Sequence, residues 1–389
     1  MRVALVHDWL NGMRGGEQVL QAIASIFPRA RIYTLFCDRE KISSELNNHE
    51  INTSFIQNIP KRKLYYRYFL PLFPRAIERF NFNDTDLVIS SSHCVAKGAV
   101  AGDGTLHICY CHSPMRYVWD RFDDYFPKDR LNPIKYKIIA TLAERLRKWD
   151  RESCGRVDLF IANSSFVRRR IQNYYNRPAR VIHPPVDTEY FTPGRNQNDG
   201  YYLVAGALVP YKRINLVIEA FRGSKEELVV IGDGPDFGRL VNNAPENVKF
   251  TGWVDRETLR EYYRGCKALV FPGVEDFGIV PVEAQSCGKP VIAFAEGGID
   301  DTVIGPLVDK IDGFDGFKSG LFFKNQTVED IRKALKAFPT LSFDSQEIRR
   351  HAARFSRENF FIQMNELLAE AVGLFRKQGK VKLEERLAN

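Results

Sequence analysis

Ala268-Leu269-Val270-Phe271-Pro272-Gly273-Val274-Glu275-Asp276-Phe277-Gly278-Ile279-Val280-Pro281-Val282-Glu283-Ala284 decides how the rest of the 389-residue chain is read. Four apolar residues bounded by Pro272-Gly273 make a short strand buried on both faces. A loop carrying Glu275 follows, and the pattern then predicts a helix over Ile279–Ser286. Ligands of parallel α/β sheets bind beyond the carboxyl ends of the strands, which is where this loop lies. Phe277-Gly278-Ile279 supplies the first free N–H groups of the helix, a site that favours an anion. Glu283 sits about a turn and a half into that helix and faces the same place.

The same alternation extends in both directions. Strands are expected at Tyr201–Ala207, Glu227–Gly232, Val248–Trp253, Val291–Ala295 and Leu321–Lys324, with helices Arg213–Phe221, Pro235–Val241 and Glu257–Arg264 between them. The first half repeats the pattern with strands Val3–Trp9, Ala30–Phe36, Ile51–Ile56, Asp86–Ser91, Thr105–Cys111, Asp158–Asn163 and Arg180–His183. Its helices are Glu17–Ile26, Pro133–Arg151 and Ser165–Tyr175. A proline-rich and polar stretch from His183 to Gly200 has the composition of a linker. Long helical patterns, Ser356–Lys377 and Gly379–Leu387, end the chain. The expected fold is therefore α/β, with two doubly wound parallel-sheet, Rossmann-like domains facing a cleft. Their expected bounds are residues 1–190 and 191–355, with C-terminal helices at 356–389 returning to the first domain.

Composition excludes several classes. With 44% hydrophobic and 27% charged residues the chain buries sizeable cores and is not disordered. Residues 1–190 carry 29 Lys and Arg against 20 Asp and Glu, whereas the remainder carries 27 against 28. The basic half suits an anionic surface or substrate. The run Val3–Val6 ends at His7-Asp8, too short and too polar for a signal peptide. No stretch approaches the roughly 18 apolar residues of a membrane span. Seven cysteines are scattered, and Cys109-Tyr110-Cys111 lacks a second Cys/His pair at finger spacing, so no metal site is expected. A reduced, cytosolic protein is the reading.

Three further segments carry polar chemistry. Asn11-Gly12-Met13-Arg14-Gly15-Gly16-Glu17 forms the first βα turn, where glycines admit backbone N–H groups to an anion or sugar. A tight turn also explains the glycines, and the anion or sugar contact is preferred because this is the first βα turn. The spacing is not that of a dinucleotide or P-loop site. Gly206-Ala207-Leu208-Val209-Pro210-Tyr211-Lys212-Arg213 and Gly232-Asp233-Gly234-Pro235 follow the first two strands of the second half. A cation pair, a glycine-rich turn and a helix N-terminus on one edge suit a diphosphate.

Gly206–Lys212, Gly232–Pro235 and the pair of glutamates Glu275 and Glu283, eight residues apart, together resemble glycosyltransferase family 4. The Gly15-Gly16-Glu17 loop and Cys111-His112-Ser113-Pro114, with Arg116, Tyr117, Trp119 and Asp120, fit as well. The resemblance spans essentially the whole chain and is greatest to the WbaZ-like branch of O-antigen and exopolysaccharide mannosyltransferases. It implies a retaining, metal-independent enzyme of the GT-B fold that uses a nucleotide sugar as co-substrate and needs no cofactor. Lys212 would bind the donor diphosphate, Glu275 and the backbone of Asp276, Phe277, Gly278, Ile279 and Val280 the hexose and phosphates, and Glu283 the ribose. Trp253-Val254 would lie against the base, His112 beside the donor hexose, and Gly15-Gly16 near phosphates or acceptor. The family usually has an arginine where this chain has Ala207, which removes half of a cationic clamp; Arg213, or else Arg14 or Arg116, is the substitute.

The implied reaction is a front-side displacement in which the leaving phosphate takes the acceptor's proton. Donor candidates are UDP-glucose and GDP-mannose, and the expected acceptor is a glycan or lipid-linked glycan in envelope polysaccharide synthesis. Two other readings stand beside it: a nucleotide-sugar 2-epimerase of the same fold, and a sugar-nucleotide-binding protein without turnover. Asp84-Thr85-Asp86 precedes its strand and reads as turn chemistry, His7 and His93 as structural histidines, and Arg168-Arg169-Arg170 as a solvated helix face. Residues 61–80 mix cations with aromatics, which suits peripheral contact with an anionic membrane; no nucleic-acid motif accompanies them.

Overall fold

A computed structural model of the chain describes residues 1–194, 200–379 and 383–387. The expected linker at 183–200 and the expected last helix at 379–387 thus fall partly outside the described residues. The chain divides into two compact units, Met1–Pro185 with Phe360–Asn389, and Val186–Asn359.

The first unit is built on strands β1 (Val3–His7), β2 (Arg31–Thr34), β3 (Ile51–Thr53), β4 (Leu87–Ser92), β5 (Leu106–Cys111), β6 (Leu159–Ala162) and β7 (Arg180–Val181). All pair in parallel, in the order β3-β2-β1-β4-β5-β6-β7. Successive side chains of a strand point to opposite faces, and both faces are covered. Leu5, Ile89 and Ile108 pack with Val19, Leu20 and Ile23 of the helix Gly15–Ile26. Ala4, Val6 and Val88 pack on the other side with Phe73, Ile77 and Leu146. The helix Arg357–Gln378 brings Phe360, Met364, Leu367, Leu368 and Ala371 to the first of these cores. Their spacing forms one helical stripe, and the Phe360 ring meets Tyr110 edge-on at 6.1 Å.

The second unit holds β8 (Tyr201–Ala205), β9 (Glu227–Ile231), β10 (Val248–Gly252), β11 (Ala268–Phe271), β12 (Val291–Phe294) and β13 (Gly320–Phe323), parallel in the order β10-β9-β8-β11-β12-β13. Each sheet is thus doubly wound, and the order reverses between β1 and β4 in one and between β8 and β11 in the other. The loops leaving those strands open a crevice at that reversal.

Several strands end earlier than their apolar pattern. β8 and β9 stop before Gly206 and Gly232, both at φ +132°, and a Cβ on Gly232 would lie 1.9 Å from the Gly206 carbonyl oxygen. Pro235 does not open a helix; that helix runs over Phe237–Asn242. The reason is tertiary: Asp236 N–H donates to Leu208 O at 3.1 Å, tying the preceding turn to the neighbouring loop. Among the described residues, two helices of eight or more residues are absent from the sequence reading, Val328–Ala337 and Ser345–Ala352. Their caps are visible in the sequence, since Thr327 accepts from Asp330 N–H and Asp344 from Gln346 and Glu347 N–H.

Candidate functional site

In the second unit the loops leaving β8 and β11 meet at the reversal of strand order. Pro210 opens a single 3₁₀ turn that ends at Lys212, as suits a proline at the first helical position. Lys212 Nζ then lies 3.1 Å from Glu275 Oε1, both side chains being less than one-fifth exposed. The geometry is a charge contact rather than an aligned hydrogen bond, for Glu275 Oε1 is buried without a hydrogen-bond partner among the described residues. Lys212, Gly273 and Glu275 line a small cavity floored by Ala205, Val270 and Phe271.

Beside the pair, Gly278 at φ +93° is the N-cap of the helix Ile279–Ser286, and no side chain among the described residues caps that end. Its first-turn N–H groups, at Ile279 and Val280, have no acceptor within the helix. The side chains of Asp276 and Phe277 are buried, and the Phe277 ring packs edge-on against Phe355 at 5.6 Å. Their contribution is therefore through the backbone. The loop's shape depends on Gly297-Gly298, which sequence reasoning missed. Gly298 N–H donates to Glu275 O at 2.8 Å, and a Cβ on Gly298 would lie 2.2 Å from Asp276 O. The signal available was a pair of glycines shortly after a strand.

Glu283 is half-buried in the same helix, and Tyr263 O–H donates to its Oε2 at 2.9 Å. Burial raises its carboxyl to about 7. Arg213 is exposed, with left-handed backbone at φ +54°, and caps the helix Ile214–Phe221. Trp253 is 78% exposed just beyond the edge strand β10, whereas Val254 packs partly into the core under β8 and β11. From β8 to β10 is two strand spacings, roughly 10 Å along the sheet edge.

In the first unit His112 follows β5 and gathers the histidines expected to be purely structural. His7 Nδ1 lies 3.0 Å from Ser91 O, and since a carbonyl only accepts, that nitrogen carries the proton. Ser91 Oγ is 2.8 Å from His112 Nε2. His7 Nε2 is left as a buried acceptor with no partner among the described residues. Burial, then the neighbouring His93 and His7, hold the His112 imidazole well below its usual pKa. Gly15 and Gly16 begin the adjacent helix, and a Cβ on Gly16 would meet His7 at 3.6 Å and His112 at 3.8 Å. Asp8 orients this corner: its carboxylate accepts the N–H groups of His93, Cys94, Val95 and Ala96 at 2.6–3.0 Å. His7 and His93 are thus part of the His112 cluster rather than isolated. Arg170 also departs from its expected solvated face. It is buried and donates to Ser113 Oγ at 2.8 Å and to Asp120.

Residues 13–190 match the profile of Glycosyltransferase Family 4, and residues 186–358 match that of Glycosyl transferases group 1. A D-inositol 3-phosphate glycosyltransferase of a Mycobacterium species is 31% identical over an alignment of 183 residues that covers 39% of this chain and 41% of the relative. The chain spans about two-fifths to just over half of the length of the curated relatives it matches. In fold it is similar to the sucrose-phosphate synthase of Thermosynechococcus elongatus, with a TM-score of 0.68 and 18% identity over 95% of this chain and 99% of that one. Anabaena HepE in complex with UDP-glucose gives a TM-score of 0.62 and 17% identity over 95% and 100%.

Proposed function

We propose that this chain, which belongs to the GT-B glycosyltransferases of group 1 and family 4, is a retaining hexosyltransferase. It takes glucose or mannose from UDP-glucose or GDP-mannose and passes it to a glycan acceptor, lipid-linked, in envelope polysaccharide synthesis. The observation that carries the reading is the Lys212–Glu275 pair beside the helix N-terminus at Gly278. A structural neighbour with UDP-glucose bound supports the donor class.

In this mechanism the bond from the anomeric carbon to the diphosphate oxygen breaks while a bond to the acceptor oxygen forms on the same face. The acceptor's proton passes to the leaving diphosphate, so atoms and charge balance. Lys212 has three N–H donors, enough to keep Glu275 and still meet phosphate oxygens. With the N–H groups of Ile279 and Val280 it stabilises the charge that grows on the diphosphate, without a metal ion. Glu275 Oε1, buried and unpartnered among the described residues, accepts from a hexose hydroxyl, Glu283 holds the ribose, and the exposed Trp253 marks the base end. The first unit takes the acceptor.

Among the described residues no helix is long and apolar enough to cross a membrane. We assign peripheral contact with an anionic membrane to residues 61–80, where Tyr65, Tyr68 and Leu72 are exposed. A donor panel read by ligand-detected NMR, followed by nucleotide release with acceptor, tests the reaction. Release in proportion to new glycoside is expected; an epimerase releases no nucleoside diphosphate in that proportion.

A further inference from the structure

We infer that the first unit carries a second anion site, separate from the donor residues, which takes a phosphate group flanked by a sugar hydroxyl. For what the bound group is used for, the inference rests on the transferase reading: the acceptor is then a phosphate-bearing glycan.

The site is a cavity of about 350 Å³, open to solvent, beyond the carboxyl ends of β1 and β2. That volume is within the range of small-ligand pockets. Asn11 and Arg14 reach it from the loop after β1, Asp38 and Lys41 from the loop after β2, and Arg62 and Arg67 from the short helices that follow β3. Four cations thus face one carboxylate, and Asp38 lies 3.9 Å from Lys41 Nζ.

Two buried polar atoms at this cavity have no hydrogen-bond partner among the described residues. Arg62 Nε is a charged donor and Asn11 Oδ1 an acceptor. Leaving a buried donor or acceptor unmet is costly, the more so when it is charged, so few persist in a native fold without a use. A phosphate oxygen satisfies Arg62 Nε, and a hydroxyl satisfies Asn11 Oδ1. A bare phosphate dianion meets only the first. Tyr66 forms a firm wall, its ring 5.4 Å from Trp9 and 5.3 Å from Phe36. The phosphate belongs either to a soluble sugar phosphate or to the head of a lipid-linked glycan; the chemistry recognised is the same.

The test is calorimetric titration of the full chain carrying Lys212→Ala, which removes the donor-side cation. Glucose 1-phosphate is expected to bind, with Arg62→Gln weakening it at least tenfold, as loss of a charged hydrogen bond does. Asn11→Ala is expected to weaken glucose 1-phosphate several-fold and to leave inorganic phosphate unaffected. Arg67→Gln, at an exposed position, gives a second reading if Arg62→Gln fails to fold. Phosphatidylcholine vesicles carrying a polyprenyl phosphate, beside vesicles carrying phosphatidylglycerol, separate the two sources. Arg62-dependent binding of the prenyl phosphate alone assigns the lipid head, and that of glucose 1-phosphate alone the soluble sugar. The site is overturned if neither probe binds, if binding ignores both arginines in folded variants, or if it is equal on both vesicle types. Nucleotide-sugar binding by the native chain is measured in parallel. Its absence sinks the transferase reading while leaving the phosphate site standing.

Discussion

Lys212 Nζ and Glu275 Oε1 lie 3.1 Å apart, brought from loops 63 residues distant in sequence to the carboxyl ends of β8 and β11. Each shields the other from the cost of a poorly solvated charge, and each keeps capacity for a ligand. In the proposed mechanism, removing Lys212 takes away a donor that acts on charge developing in the transition state. Lys212→Ala is expected to lower kcat roughly 10²–10³-fold, as loss of such a donor does elsewhere. Glu275→Ala is expected to lower kcat while nucleoside diphosphate still binds. Nucleotide release and ligand-detected NMR measure both; unchanged activity in the two variants would falsify the site.

Glu283 provides a pH signature. Its carboxyl is raised by burial to about 7 from an ordinary 4.5. The folded state therefore holds more protons than the unfolded state between those values, and stability falls as pH rises across them. Glu283→Gln should flatten the dependence of Tm on pH in that window. Nucleotide affinity should rise through about pH 7 in the native protein as the carboxylate forms, and a flat profile would remove Glu283 from ribose binding.

His112 is displaced in the opposite sense. Burial, His93 and His7 hold its pKa well below 6.5, so the folded protein keeps it neutral where the unfolded chain is already protonated. The associated stability is present above 6.5 and is lost as pH falls below it. Histidine ring NMR shifts should show no titration of His112 between about pH 6 and 8, the range in which an unperturbed imidazole changes charge. An ordinary midpoint there would contradict the burial that orders the cluster with Ser91.

Gly298 has no room for a side chain. A Cβ at this position would come within 2.2 Å of Asp276 O, so Gly298→Ala must push the Glu275–Phe277 loop away. Activity is expected to drop more than about tenfold, since small misplacements of catalytic groups are costly. Tm should fall only modestly. Differential scanning fluorimetry beside the nucleotide-release assay separates the two effects, and full activity would show that the loop tolerates the shift.

Asp150 holds a buried network in the first unit. It accepts from Trp119 Nε1 and Tyr175 O–H, each at 2.8 Å, and its other oxygen lies 3.0 Å from Lys97 Nζ. Asp150→Ala leaves the lysine charge buried and unpaired, an event that costs about 3–5 kcal/mol. Chemical denaturation is expected to report a loss of that size; a change within about 1 kcal/mol, the scale of an exposed pair, would show that Lys97 finds another partner.

Much of the proposed donor site is legible in the sequence because its residues lie in short consecutive stretches. The strand Ala268–Phe271 and the helix Ile279–Ser286 have the bounds their pattern predicts; Glu283 takes its place from that helix, while the loop that carries Glu275 is also shaped by Gly298 from another segment. The first-unit cluster is not legible. His7, Ser91, His93 and His112 sit at three different strand ends, and only the pairing of β1 with β4 and β4 with β5 makes them neighbours. Arg170 defies its pattern for the same reason. Its helix shows three consecutive arginines, but Ser113 and Asp120, which draw it inside, come from another part of the chain.

The sequence alone determined the alternation of strands and helices, the doubly wound sheets and the residues at the ends of β8 and β11, because these depend on local periodicity and on rules of crossover handedness. Only the tertiary structure decided which polar groups meet. It joined Lys212 to Glu275, set Gly298 under the loop, and left Arg62 Nε and Asn11 Oδ1 buried without partners among the described residues. Such relations depend on register and packing between segments far apart in the chain, and no window of sequence contains both members of a pair.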